Sequence, residues 1–328
     1  MKEILNELIE HRSLSKEAAK KVLVDLASAK FNQSQMSAFM TVYMMRAITI
    51  DELQGFRDAM LELCIPVHLD KPVMDVCGTG GDGKNTFNIS TLSSFVVAAA
   101  GQPVAKHGNV GVSSVCGSSN LLQFFGVEFT NDIDELKRSL DRANICFMHA
   151  PLFHPAMKNV GAIRKELGVK TFFNMLGPMV NPAFPPRQLV GVFNLELARQ
   201  YGYLYQNTNK DFVILHDLNG YDEISLTGPF KVFTNKGEKV IEPIDLGLPC
   251  VEAAELTGGE TVEESARIFL NVLEGKGTEA QNSVVIANAG MAIYAGQQQN
   301  GIPMAIEMAR EALLSGRAFS TFKSFLNK

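Results

Sequence analysis

Between Cys77 and Thr91 the chain reads CGTGGDGKNTFNIST. Glycines at 78, 80, 81 and 83 let the backbone turn through positive φ and bring N–H groups close to an anion. A short apolar strand runs into this loop and an apolar helix opens near Ser90, so the helix dipole also favours negative charge there. Asp82 decides which anion. A carboxylate inside a phosphate cradle repels its ligand unless a cation lies between them, and Mg2+ bridges one or two carboxylates to substrate phosphates. The loop therefore suits a Mg2+-bound diphosphate ester better than a bare phosphate.

Two nucleotide motifs match in part. Gly78, Gly80 and Gly83 satisfy the dinucleotide spacing, but the next strand ends in Lys106-His107 rather than the acid that would hold a ribose hydroxyl. Gly78, Gly83 and Lys84 satisfy most of a P-loop, but Asn85 stands where a hydroxyl should meet magnesium. Downstream, Lys106-His107-Gly108-Asn109 and VGVSSVCGSS over 110–119 supply a cation, amide and hydroxyl donors and two more glycines. Lys106 can act as a point charge on a phosphate, and Ser113, Ser114 and Ser118 can donate to its oxygens. The adjacent carboxylates Asp222 and Glu223 are candidate Mg2+ ligands.

These segments need a scaffold that gathers them at one edge. Apolar runs at Val73–Cys77, Pro103–Lys106, Ile145–His149, Leu189–Phe193 and Asp211–Leu215 read as strands alternating with helices. One such helix is Leu195–Tyr205, with Asn194 as its N-cap. That rhythm predicts a mostly parallel sheet flanked by helices, with ligands beyond the carboxyl ends of the strands. Residues 1–65 read as helices only. Ile4, Leu5, Leu8 and Ile9 share one face, as do Val22, Leu23, Leu26 and Ala27. Met36, Phe39, Met40, Tyr43 and Met44 form a stripe suited to a core or a subunit interface. Thr49 with Glu52, and Thr261 with Glu264, have capping-box spacing. Thr171–Arg187, rich in Pro, Gly and Asn, reads as a crossover between layers and part of a hinge.

Composition excludes several classes. A net charge of −5 without a basic block argues against a nucleic-acid partner. No apolar run reaches the length of a membrane helix, and the N-terminus lacks a signal-peptide core. Five scattered cysteines without CxxC spacing fit a reducing cytoplasm and indicate neither disulfides nor zinc.

The stretches GTGGDGKNTFNIST, KHGN followed by SS, PLFHPAMKNVGAIRKELGVKTFFNMLGP and DEISLTG closely resemble the anthranilate phosphoribosyltransferases, and the resemblance covers the whole chain. It implies an α/β protein with a small all-helical N-terminal domain, residues 1–70 with a returning segment near 165–187, that makes a homodimer contact. A larger α/β domain with a central, mostly parallel sheet, residues 71–328, would bind phosphoribosyl diphosphate. It further implies a cytoplasmic enzyme of tryptophan biosynthesis that uses two Mg2+ ions per subunit, with anthranilate and phosphoribosyl diphosphate as substrates. The resemblance places Gly78, Gly81, Asp82, Thr86, Asn88, Ile89, Ser90 and Thr91 around phosphoribosyl diphosphate. Lys106, His107, Gly108, Asn109, Val110, Gly111, Val112, Ser113, Ser114 and Ser118 continue that site, with Lys106 in an electrostatic role. Gly78, Asn109 and Arg164 fall on anthranilate contacts, and Ser90, Asp222 and Glu223 on metal ligands. His107 and His154 lie beside these motifs as candidates to line the anthranilate channel. Two departures stand out: Val110 replaces a basic residue common in the family, and Gly117-Ser118-Ser119-Asn120 replaces Gly-Ser-Ala-Asp. Both remove charge near the loop and would shift contacts onto backbone N–H groups. Alternatives are a pyrimidine nucleoside phosphorylase, which needs no carboxylate-bound diphosphate, and a non-catalytic nucleic-acid-binding relative.

Overall fold

The computed structural model describes residues 1–111 and 115–327. Val112, Ser113 and Ser114, expected at the phosphate site, lie outside the described residues. In chain order the elements are α1 (Lys2–Ile9), α2 (Lys16–Ala27), α3 (Gln33–Met45), α4 (Ile50–Leu63), β1 (Met74–Gly78), α5 (Ile89–Ala99), β2 (Val104–Gly108), α6 (Ser118–Phe124), α7 (Ile133–Ala143) and β3 (Ile145–His149). There follow α8 (Ala150–Phe153), α9 (Lys158–Leu167), α10 (Phe173–Leu176), β4 (Arg187–Gly191), α11 (Leu195–Gln206), β5 (Asp211–Asp217), β6 (Phe230–Thr234) and β7 (Gly237–Ile241). The chain closes with α12 (Val262–Leu273), α13 (Glu279–Gly296), α14 (Gly301–Leu314) and α15 (Arg317–Leu326).

Two compact units result. Met1–Val67 with Ala150–Phe184 form a helical unit, and His68–His149 with Pro185–Lys328 an α/β unit. The returning segment thus begins at Ala150, not near 165. Phe153 is fully buried, and the N–H groups of Ile65 and Val67 donate to the carbonyls of Phe153 and Pro182 at 2.8 Å each. The helical core is a cluster of rings from Phe39, Tyr43, Phe56 and Phe172, with centroids 4.6–6.1 Å apart. Met36 and Met40 of the expected stripe are buried, whereas Met44 is exposed.

Thr49 and Glu52 do form a capping box, but Glu52 has a second role. Its fully buried carboxylate accepts hydrogen bonds from Tyr43 Oη and Leu14 N at 2.9 Å each and pairs with Arg46. Burial disfavours its charge, yet Arg46 and the N–H donors outweigh that and hold its pKa below the usual value. At Thr261 only half a box forms: Glu264 N donates to Thr261 Oγ1 at 3.1 Å, while the Glu264 carboxylate turns to Glu260 N at 2.7 Å.

The α/β unit is built on a seven-stranded sheet of order β3-β2-β1-β4-β5-β6-β7. Strands β3 through β5 run parallel, and β6 and β7 add an antiparallel hairpin. The residue pattern does not announce this hairpin, because β7 is exposed along most of its length and carries none of the apolar alternation that marks a strand. Successive strands are laid to one side of β1 and then to the other, so the order reverses between β1 and β4. Such a switch point leaves a crevice beyond the strand ends.

Candidate active site

At that switch point β1 and β4 both end in glycine, Gly78 paired with Gly191. A Cβ on Gly78 would meet Asp222 Oδ2 at 2.3 Å, and one on Gly191 would meet the Asp222 carbonyl oxygen at 1.5 Å. The absent side chains are what admit Asp222 to the crevice. The following loop turns through positive φ at Gly80, Gly81 and Gly83, and Gly80 N donates to Asp222 Oδ2 at 2.6 Å. Thr86 bridges to Thr257, and Phe87 N donates to the Leu256 carbonyl at 3.0 Å, so residues 256–259 pin the far side of the loop. Asn88 ends it as the N-cap residue of α5, its Nδ2 donating to the Cys116 carbonyl at 2.8 Å.

Ile89, Ser90 and Thr91 form the first turn of α5. Ser90 N donates to Glu223 Oε1 at 2.8 Å, which places a carboxylate on the positive end of the helix. Asp82 lies on the same side, with Asp222 N donating to its Oδ2 at 3.4 Å. Asp222 is driven to a raised pKa by burial and by the charges of Glu223 and Asp82; Glu223 is raised by burial against the pull of Ser90. Among the described residues no group of three or more His, Cys, Asp and Glu side chains is arranged to hold a metal ion. The donors present are instead two adjoining carboxylates and a hydroxyl, all hard oxygen ligands, in a crowd of negative charge that a cation would relieve. That set fits Mg2+ completed by substrate phosphates and not a cation caged by protein alone.

Lys106 and His107 lie in β2, with Gly108 at its end. Lys106 is buried, and its Nζ donates to the Val76 carbonyl at 2.6 Å, beneath the glycine loop. Burial lowers its pKa, against the pull of Asp75, Cys77 and Glu223. Asn109, Val110 and Gly111 leave the strand as a loop, with Val110 exposed. The Asn109 carbonyl accepts Ser118 Oγ at 3.3 Å and Ser119 N at 3.1 Å. Asn120, one of the two departures, ties the two ends of this loop together. Its Oδ1 accepts from Gly111 N at 2.9 Å and Gly117 N at 3.1 Å. An amide oxygen supplies that acceptor without a charge.

Arg164 lies on α9 in the helical unit. Its guanidinium sits 5.2 Å from the Phe173 ring centroid and donates to Asn174 Oδ1 at 3.3 Å. Only part of the five-donor fork is engaged there. His154 belongs to the core of the same unit. It is buried, its Nε2 meets the Val180 carbonyl at 3.1 Å, and burial lowers its pKa to about 4.

Sequence reading missed Asp217, Ser225 and Asn288, which grip the backbone just after Glu223. Asn288 is a single polar residue inside an apolar helix, whereas Asp217 and Ser225 lie among other polar residues, and no spacing marks any of them.

A family model described as "Glycosyl transferase family, a/b domain" matches residues 70–319, and one described as "Glycosyl transferase family, helical bundle domain" matches residues 2–64. The two-part fold is thus that of the glycosyl transferase family. An anthranilate phosphoribosyltransferase of Flavobacterium johnsoniae is 61% identical over 98% of both chains. The crystal structure of anthranilate phosphoribosyltransferase from Thermus thermophilus is 31% identical, with a TM-score of 0.91 over 98% of both chains. That from Saccharomyces cerevisiae, in complex with phosphoribosyl diphosphate and Mg, is 26% identical, with a TM-score of 0.90 over 98% of this chain and 96% of its own. The chain belongs to the anthranilate phosphoribosyltransferase family and is a transferase of tryptophan biosynthesis.

Proposed function

We propose that, in transferring the 5-phosphoribosyl group of phosphoribosyl diphosphate to the amine of anthranilate, this chain holds the diphosphate against its glycine loop and acidic pair. The products are N-(5-phosphoribosyl)anthranilate and diphosphate. One observation carries the reading: Asp222, admitted by Gly78 and Gly191, stands with Glu223 at the carboxyl ends of the central strands, where Asp82 and the α5 N-terminus also lie.

Asp222, Glu223 and Ser90 would hold two Mg2+ ions shared with the diphosphate. The carboxylates and a diphosphate together carry more negative charge than one divalent cation neutralises. When bound, the metal stabilises charge on the departing diphosphate. The chain supplies further stabilisation through the α5 dipole and the buried Lys106 beneath the glycine loop. Lys106–Gly111 and Ser118 continue the same binding segment. Anthranilate attacks through an aromatic amine that is neutral at pH 7, so orientation matters more than a strong base. Arg164 suits the anthranilate carboxylate because a planar fork pairs with it bidentately. Within the α/β unit, Asn109 and Gly78 are proposed as anthranilate contacts.

The helical unit would form the contact of a homodimer: Ile9, Met44 and Met45 expose apolar side chains on α1 and α3, which pack on each other. A cytoplasmic setting accords with five free cysteines. The metal role is tested by Asp222→Asn combined with Glu223→Gln. The Mg2+ concentration for half-maximal rate should rise about tenfold or turnover should vanish; unchanged kinetics would reject it.

A further inference from the structure

Among the described residues, the segment that carries the acidic pair has no strand partner. The chain leaves the sheet at the end of β5, Asp217, and rejoins it at Phe230, the start of β6; in between, Tyr221, Asp222, Ile224, Ser225 and Leu226 are buried. Buried backbone groups need hydrogen-bond partners, and outside a ladder turns, water or side chains supply them. Asn288 of α13, itself 2% exposed, does so for Ile224. Its Oδ1 accepts from Ile224 N at 3.0 Å and its Nδ2 donates to the Ile224 carbonyl at 2.8 Å, as a neighbouring strand would. A second Nδ2 contact, to the Val284 carbonyl at 2.9 Å, fixes the amide to its own helix. From the other side Asp217 Oδ2 accepts from Ser225 N at 3.0 Å and Ser225 Oγ at 2.6 Å.

Leu226 shows how firmly the segment is constrained. It is fully buried at φ +59°, a left-handed conformation that a branched side chain adopts only where its surroundings over-determine it. An asparagine inside an apolar helix is itself unfavourable, since it loses water and competes with the helix backbone. Its pairing with Ile224, the residue directly after Glu223, offsets that cost.

We infer that Asn288 is a positioning residue: by clamping Ile224 it sets where Asp222 and Glu223 stand above the strand ends, and so sets the cation affinity of the site. The inference rests on the reading of Asp222 and Glu223 as cation ligands. Supporting residues around metal ligands typically govern affinity by about 10–100-fold.

The test titrates Mn2+ into enzyme containing phosphoribosyl diphosphate without anthranilate, following free Mn2+ by electron paramagnetic resonance. Asn288→Ala should weaken Mn2+ binding about tenfold or more. It should raise the Mg2+ requirement in turnover alike and leave KM for anthranilate within about twofold. Asn288→Asp keeps the acceptor for Ile224 N but sets a buried oxygen against the Ile224 and Val284 carbonyls, so it should weaken binding at least as much as alanine; Asn288→Ser carries the test if neither of these variants folds. Leu313→Ala, a buried α14 substitution, is the control for lost stability and should leave Mn2+ affinity within about twofold. Asn288 variants that bind Mn2+ normally and only melt earlier would overturn the inference, as would equal weakening in Leu313→Ala. Asp222→Asn with Glu223→Gln, measured alongside, separates the two levels. If that pair loses Mn2+ while the Asn288 variants keep it, only the positioning role falls; if it too keeps Mn2+, the cation reading falls and the inference with it.

Discussion

The carboxylate of Asp222 occupies the space that a side chain on Gly78 would need, 2.3 Å from the position of its Cβ. Gly78 ends β1 and, against the expectation from sequence, does not take positive φ; it is a steric requirement of the acidic pair and not a turn residue. Gly78→Ala should push Asp222 and the Gly80 N–H apart, at an overpacking cost of about 1–3 kcal/mol. The expected outcome is a clear fall in kcat with a raised Mg2+ requirement, checked by steady-state kinetics across a Mg2+ series. Wild-type kinetics would mean that the crevice tolerates a displaced Asp222.

Arg164 presents a guanidinium against Phe173 with most of its donors uncommitted to Asn174. Arg164→Ala should mainly raise KM for anthranilate, by about tenfold or more, since a hydrogen bond to a charged group is worth ~1.5–3 kcal/mol. Arg164→Lys should recover only part, because a point charge cannot reproduce the fork. Initial rates over a grid of both substrates check this; an effect confined to phosphoribosyl diphosphate would refute the assignment.

His154 makes the stability of the helical unit depend on pH. Its folded pKa is about 4, below the ordinary 6.5, because burial opposes the charged form. Below pH 6.5 the unfolded chain takes up a proton that the folded chain refuses, so stability falls as pH drops toward 4 and levels off beneath it. Each pKa unit is worth ~1.4 kcal/mol, so the loss is on the order of 3 kcal/mol. Thermal melts between pH 7 and 4 should fall more steeply for the native chain than for His154→Gln, and parallel curves would contradict the buried neutral histidine.

Much of this site could be read from residue order because its chemistry is local. The glycines announce a turn that few other residues can make, and Asp82 within it implies a cation. The five parallel strands were legible as apolar runs between helices, although β4 begins at Arg187, two residues before its expected start. What escaped depends on distance in the fold. Asn288 and Ile224 are 64 residues apart, and nothing in an isolated asparagine says which backbone it will meet. Glu52 could be read as a capping residue, but its ion pair with Arg46 and bond to Tyr43 require α3 and α4 to be packed first. For His154, beside a functional motif, burial and the bond of its Nε2 to the Val180 carbonyl likewise require the helical unit to be packed first.

In the proposed reaction a metal-bridged diphosphate is the leaving group and anthranilate the acceptor. Its most direct test mixes the pure protein with phosphoribosyl diphosphate and anthranilate, with and without Mg2+, and follows anthranilate fluorescence. Fluorescence should fall steadily, only with both Mg2+ and phosphoribosyl diphosphate present, and the fall should stop when a chelator is added. Fluorescence that persists in the complete mixture, or falls equally without the metal, would contradict it.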